Sequence, residues 1–328
     1  MRVSPEAVGS VVCYDLVRLV PPFERQPDEA PRASAGLFFQ QSLDGLERAR
    51  RPGNVICFSD RRQDAAYFAP AMERTYNDVT IRQIIREAVD ELFDGSPGVL
   101  PSSVCDWISG EGRRRYGAGL LGTNARNMAL SWVLGEMMTD APRNSLEALG
   151  VVRFEPTRLL SVMNRLGPDV ARQQIAALGG GALSQITTDD YLRFVRYCLD
   201  SLRRAGAIAV PSGVDRLLKR RTRVSPVLVR PRVDGRAGNL YSFIGNERGS
   251  ENSRSAFVRR YMRKVHGVEI SRTESTALLS SVHQFLTSLL DYLEKGEGLK
   301  LWFGSAEEFR LDMDLWELYP CRNDDRVF

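Results

Sequence analysis

Two clusters of cations are the residues of this chain best suited to chemistry. One is Lys219-Arg220-Arg221-Thr222-Arg223, and the other is Arg259, Arg260, Arg263 and Lys264. In the second, Arg259 with Arg263 and Arg260 with Lys264 stand four residues apart, so on a helix each pair stacks like charges on one face. Such stacking weakens an isolated helix by about 0.2–0.5 kcal/mol per pair unless an anion neutralises it. Both clusters fall between Arg203 and Arg272, where 17 Lys or Arg face 5 Asp or Glu, a local balance of +12 in a chain of net charge +4. Of 45 basic residues only Lys219, Lys264, Lys295 and Lys300 are lysine, and the arginine fork suits phosphate oxygens. A GC-rich genome produces the same arginine excess. A solvated face is the commonest meaning of one basic run; two runs in one region favour nucleic acid, DNA ahead of RNA.

A third candidate is the turn Ser59-Asp60 with Arg62 and Gln63, which follows the apolar run Val55-Ile56-Cys57-Phe58. A buried strand that ends in a polar turn at a helix N-terminus presents backbone N–H groups and a positive dipole end to an anion, and Arg62 and Gln63 add donors. The plainer reading is that Ser59 and Asp60 only cap the helix while Arg62 and Asp64 are solvated.

Most catalytic signatures are missing. The sequence has no G-x-x-x-x-G-K-[ST], no G-x-S-x-G, no H-E-x-x-H and no EF-hand loop. The two histidines, His266 and His283, are too few for an imidazole metal cage, and His283 lies beside the apolar face of its helix, as a packing residue does. Gly117, Gly119 and Gly122 spell G-x-G-x-x-G, but Arg113-Arg114-Arg115-Tyr116 precedes them in place of a hydrophobic strand, so they read as a glycine-rich turn. Cys13, Cys57, Cys105, Cys198 and Cys321 are widely spaced, with no CxxC pair, which speaks against a disulfide framework or a zinc ribbon.

The elements that must position these residues follow from composition and pattern. With 328 residues, 43% hydrophobic and 26% charged, the chain is long enough to bury a core and is of ordinary globular composition. No stretch approaches the roughly 18 apolar residues of a membrane span, so we expect a cytoplasmic protein with no signal peptide and no membrane partner. Residues 1–53 carry Pro21, Pro22, Pro27, Pro31 and Pro52 and read as a connector. The strand Val55–Phe58 then starts a strand–helix unit over 54–94, with Pro70 kinking or ending a first helix and a second running from Val79 to Phe93. A helical insertion follows over 95–182, with a helix near Asn124–Met138, a turn at Ser145–Gly150 and a strand at Val151–Phe154.

Over 183–300, Thr187 and Asp190 form a capping box for a helix ending at Gly206. Short strands are expected at Ala207–Val210, Val227–Val229 and Leu240–Ile244, the last two joined as a basic hairpin by a turn at Asp234-Gly235. A helix followed by a short basic hairpin outlines a winged helix. Two further helices cover Arg254–Val265 and Glu274–Leu293, the second with an apolar stripe through Leu278, Leu279, Val282, Leu286, Leu289 and Leu293. Residues 301–328 form a tail in which Leu311–Leu315 alternates like an edge strand.

The segment Asn54 to Pro70, with Phe58-Ser59-Asp60-Arg61-Arg62-Gln63-Asp64-Ala65-Ala66 at its centre, and the following Glu73-Arg74-Thr75-Tyr76 resemble the start of the second RecA-like lobe of large bacterial superfamily-two DEAD/DEAH helicases with an F-S-D-x-R-Q-D-A-A signature. Weaker likeness runs through Ser145–Val152, Asp200–Ile208 and Leu311–Pro320. The resemblance implies that Phe58 to Gln63 corresponds to a helicase motif that touches the nucleic-acid backbone. It further implies that ATP and Mg²⁺ belong to the complete helicase, whose phosphate loop, acidic motif and late arginines this chain lacks, and that the missing lobes or other subunits of a defence or repair complex are partners. The expected fold is mixed α and β, mostly helical, with a partial RecA-like strand–helix unit followed by a helical, winged-helix-like region. The expected function is the nucleic-acid-engaging portion of an ATP-dependent helicase, with no catalytic residue, cofactor or metal of its own. The rival is a stand-alone helical adaptor that binds a protein through the Glu274–Leu293 face, and an isolated hydrolase is third.

Overall fold

The computed structural model describes residues 62–95, 97–116, 121–138, 145–222, 225–233, 239–245 and 252–321, and their side chains from residue 77 onward except those of 220–222. The expected connector, the strand Val55–Phe58, the Ser59-Asp60 turn, Gly117 with Gly119, and the turn Asp234-Gly235 lie outside the described residues. The fold is mostly helical with small sheets. The described residues form two compact units, one within 62–92 and 104–129 and the other within 93–103 and 130–321.

The first unit is organised by α1 (Arg62–Leu92), a single 31-residue helix where the sequence suggested two. The break expected at Pro70 rested on the clash of its ring with the preceding turn, which bends a helix as readily as it ends one. Ile81, Ile84, Ile85, Ala88 and Val89 recur at helical spacing and are buried. Helix α2 (Pro101–Trp107), a π-helical turn (Ile108–Gly112) and α3 (Arg113–Tyr116) follow in sequence. Polar contacts hold this turn to α1: Trp107 Nε1 donates to Glu91 at 3.2 Å, and Arg115 bonds Glu91 and Glu111 while its guanidinium lies 5.3 Å from the Trp107 ring centre. Helix α4 (Ala125–Met137) begins in this unit and ends in the second.

The second unit contains β1 (Val152–Glu155), α5 (Thr157–Ala177), α6 (Thr188–Arg204), α7 (Val214–Thr222), β2 (Leu228–Arg230), β3 (Leu240–Ser242), α8 (Ser253–Val265), α9 (Arg272–Glu297), β4 (Trp302–Gly304), β5 (Phe309–Leu311) and β6 (Glu317–Pro320). Helices α5, α6, α8 and α9 pack on one another. Their starts follow the sequence signals. Thr187 and Asp190 make the expected capping box, Asn252 caps α8, and Ser271 with Glu274 makes a second box on α9. Gly206, at φ +85°, ends α6 where expected.

Three expectations change. Strands β2 and β3 do form, but they pair parallel, with Val229 opposite Tyr241, so the basic hairpin of a winged helix is not what these two strands make. The alternation at Leu311–Leu315 is not one edge strand: β5 stops at Leu311, and Asp312 Oδ1 then accepts from the Asp314 amide at 2.8 Å to cap a 3₁₀ turn at Met313–Leu315. Strand β5 is interior, in the order β3-β2-β5-β4, while β1 and β6 form a separate antiparallel pair. Finally, the stripe Leu278, Leu279, Val282, Leu286, Leu289 and Leu293 of α9 is buried inside this unit, so it is core and not a face open to a protein partner. Within the helical insertion expected over 95–182, α5 runs unbroken through Gly167 and Pro168. Leu159, Val162, Met163 and Ala171 bury one continuous face across them.

Among the described residues no helix is long and apolar enough to cross a membrane, and no group of three or more His, Cys, Asp or Glu is arranged to hold a metal.

Candidate nucleic-acid interface

Helix α8 carries the site. Its buried side, Arg254, Ser255, Val258 and Met262, faces the packed helices. The helical period therefore turns Arg259, Arg260, Arg263 and Lys264 outward, and all four are exposed. Arg259, Arg260 and Arg263 line one open cleft of about 350 Å³ with Ala256, Glu269 and Ile270. Two arginines are braced at their stems: Arg259 Nε donates to the Ile270 carbonyl at 3.1 Å, and Arg260 Nε to the Ala256 carbonyl at 3.1 Å. These bonds fix the position of the Nε and leave the terminal nitrogens of Arg260 to project. Among the described residues, no carboxylate lies within ion-pair distance of Arg260, Arg263 or Lys264.

The other basic residues of the stretch divide sharply from these. Arg203 is fully buried: it bonds Glu147 at 2.8 Å, Asp200 at 2.6 Å and the Met137 carbonyl at 2.8 Å, with its guanidinium 4.7 Å from the Phe154 ring centre. Arg254 is also buried and donates to the Phe243 and Ser242 carbonyls, to the Tyr241 hydroxyl at 2.7 Å and to Ser201 Oγ at 3.2 Å. Arg204 pairs with Glu147 and Asp200, and Arg230 with Glu308. The +12 balance thus overstates the outward charge, since part of it serves internal bonding.

The remaining candidates are placed as follows. Ser59, Asp60 and Arg223 lie outside the described residues. Arg62 and Gln63 are the first two residues of α1, in helical backbone. Lys219 is exposed on α7, 3.9 Å from Asp215 one turn earlier, and Arg220 and Arg221 continue that helix. Arg259, Arg260 and Arg263 line one shared cleft.

Helices α6 and α8 also bring together aromatic residues that the charge pattern did not single out. Tyr197 of α6 and Phe257 of α8 stack with ring centres 3.7 Å apart and planes within 7°. Phe257 is 6.0 Å from Tyr261, whose hydroxyl accepts from Arg193 at 3.3 Å. The spacing of Arg193 with Tyr197, and of Phe257 with Tyr261, is four residues in each case, which is the signal in the sequence that these share helix faces. Burial holds the Tyr197 phenol pKa above its usual value, against the lowering effect of the nearby Arg260 charge.

Asp190 locks this corner. Its Oδ2 accepts from the Thr187 amide at 2.9 Å and the Thr187 hydroxyl at 2.6 Å, and lies 3.0 Å from His266 Nε2. Burial opposes the carboxylate charge, but the bonds from Thr187 and Tyr261, with His266 alongside, outweigh it and hold the pKa below the usual carboxylate range. The array fixes α6 against α8.

Compared with protein-family models, curated proteins and solved structures, the chain matches none.

Proposed function

We propose that this chain binds nucleic acid, seating the phosphate backbone on the exposed face of α8. The observation that carries this reading is the convergence of Arg259, Arg260 and Arg263 on one open cleft, with Lys264 beside it and with Arg260, Arg263 and Lys264 lacking carboxylate partners among the described residues. Like charges one turn apart destabilise a helix, and a polyanion removes that cost. Guanidinium groups projecting from a rigid helix supply the bidentate donors that phosphate oxygens take. The similarity of residues 54–76 to the second lobe of bacterial helicases supports the same partner, and in that setting the chain acts as the nucleic-acid-engaging part of an ATP-dependent machine whose ATP and Mg²⁺ sites lie elsewhere.

Salt-titrated fluorescence anisotropy with a labelled DNA strand tests the reading. Each neutralised phosphate contributes a log–log slope of about 0.9 on duplex and about 0.7 on single strands. Arg260→Ala/Arg263→Ala should weaken binding to unrelated sequences alike and flatten the slope by about one to two. No binding at low salt, or an unchanged slope, overturns it.

A further inference from the structure

We infer that Tyr197 and Phe257 form a stacking platform for an unpaired base, so that the strand carried on α8 is single-stranded. The inference rests on the backbone reading above. The two rings come from different helices, are each partly exposed, and lie face to face, with centres 3.7 Å apart and planes within 7°. Aromatic pairs favour offset-parallel or edge-to-face contact, and parallel and edge-on pairs both occur in this corner. Phe194 meets Phe257 and Tyr261 edge-on at 85°, and Tyr191 meets Phe285 at 83°. The parallel pair joins α6 to α8, and α8 also carries the arginines that line the cleft.

Arg260 joins the two features. It lines the cleft and stands near enough to Tyr197 for its charge to act on the phenol. Arg193 adds a second guanidinium, bonded at 3.3 Å to the hydroxyl of Tyr261, whose ring centre is 6.0 Å from that of Phe257. Rings flanked by guanidinium groups are the arrangement on which successive bases stack while their phosphates meet cations, and stacking tolerates any base because every base has a π face. A paired base inside a duplex offers no free face to such a platform, so the arrangement selects an open strand.

The test compares three probes at one salt concentration: a labelled oligothymidylate, an abasic strand of the same length, and the annealed duplex as competitor. Wild-type protein should hold the thymidylate about tenfold more tightly than the abasic strand, as one or two stacked bases would give, and the duplex should compete less well than the open strand. Tyr197→Leu/Phe257→Leu should erase the margin between thymidylate and abasic strand while leaving abasic affinity unchanged. If the double variant melts early, Tyr197→Leu alone carries the same comparison. Equal affinity for the two strands, a margin that survives loss of the rings, or a duplex that competes as well as the strand overturns the platform, even when arginine variants still flatten the salt slope. Absence of binding to every probe at low salt overturns the backbone reading, and the platform with it.

Discussion

The Tyr261 hydroxyl donates a 2.6 Å hydrogen bond to Asp190 Oδ1, so the carboxylate that caps the start of α6 also anchors the last turns of α8. The helix that presents the arginines is therefore held by the N-cap of its neighbour, and its position depends on one ionised group.

Asp190→Asn should lower the stability of the second unit by about 1–3 kcal/mol, because an amide nitrogen would face donors that the carboxylate now accepts from. The carboxyl pKa is held below its usual range in the fold. Its contribution is thus fully present above the unfolded value, about pH 4, and is lost as pH falls through the folded one. Thermal melts of wild type and variant should differ at neutral pH and converge in acid; a gap that stays constant down to pH 2 would refute this.

Arg203 and Arg263 should behave as opposites although both belong to the basic stretch. Arg203→Ala leaves the buried Met137 carbonyl without this donor and Glu147 and Asp200 with Arg204 alone, and should cost about 1–3 kcal/mol. Arg263→Ala, on an exposed face, should change stability by no more than about 0.5 kcal/mol and alter only binding. Denaturant titration beside anisotropy separates the two.

His283 has the rings of Phe243 and Phe309 beside it, with centres 5.1 and 5.9 Å away, and its buried Nε2 has no hydrogen-bond partner among the described residues. Burial lowers its pKa. Below about pH 6.5 the unfolded chain takes up a proton that the folded ring resists, so wild-type stability should fall with pH there. His283→Leu should match or exceed wild-type stability above that pH and lose this part of the dependence, which the difference between the two stability curves isolates.

Gly304 closes the turn between β4 and β5 at φ +121°, and a Cβ built there would stand 2.1 Å from the Glu308 carbonyl oxygen. Backbone, not a flexible side chain, blocks the space. Gly304→Ala should cost at least about 1–3 kcal/mol, read by denaturant midpoint. Gly298→Ala, equally left-handed at φ +67° but with open space around it, should cost less.

Helix boundaries were legible where a local signal marks them. The Thr187–Asp190 box, the Gly206 stop and the run of α8 follow from side chains that bond backbone within one turn. The sheet was much less so, because β2 and β3 look alike whether they pair parallel or antiparallel, and the other neighbour of β2, β5, comes from far along the chain. The outward arginines of α8 were visible as an i, i+4 pattern. The burial of Arg203 was not, since its partners Met137 and Glu147 are distant in sequence and its neighbours look equally basic. The Tyr197–Phe257 stack was hidden for the same reason: each ring is ordinary on its own helix, and only the packing of α6 on α8 brings them face to face.

Strand β5 also orders events during synthesis. It is the middle strand against which β2, β4 and the Ala207–Ala209 segment bond, yet it leaves the ribosome after nearly all of them. Until Phe309–Leu311 emerges, β2 has a bare edge, and an unpaired edge is what other chains add to. A nascent chain paused before Phe309 should therefore be a substrate for chaperones and proteases, so the survival of the second unit during translation turns on one three-residue strand.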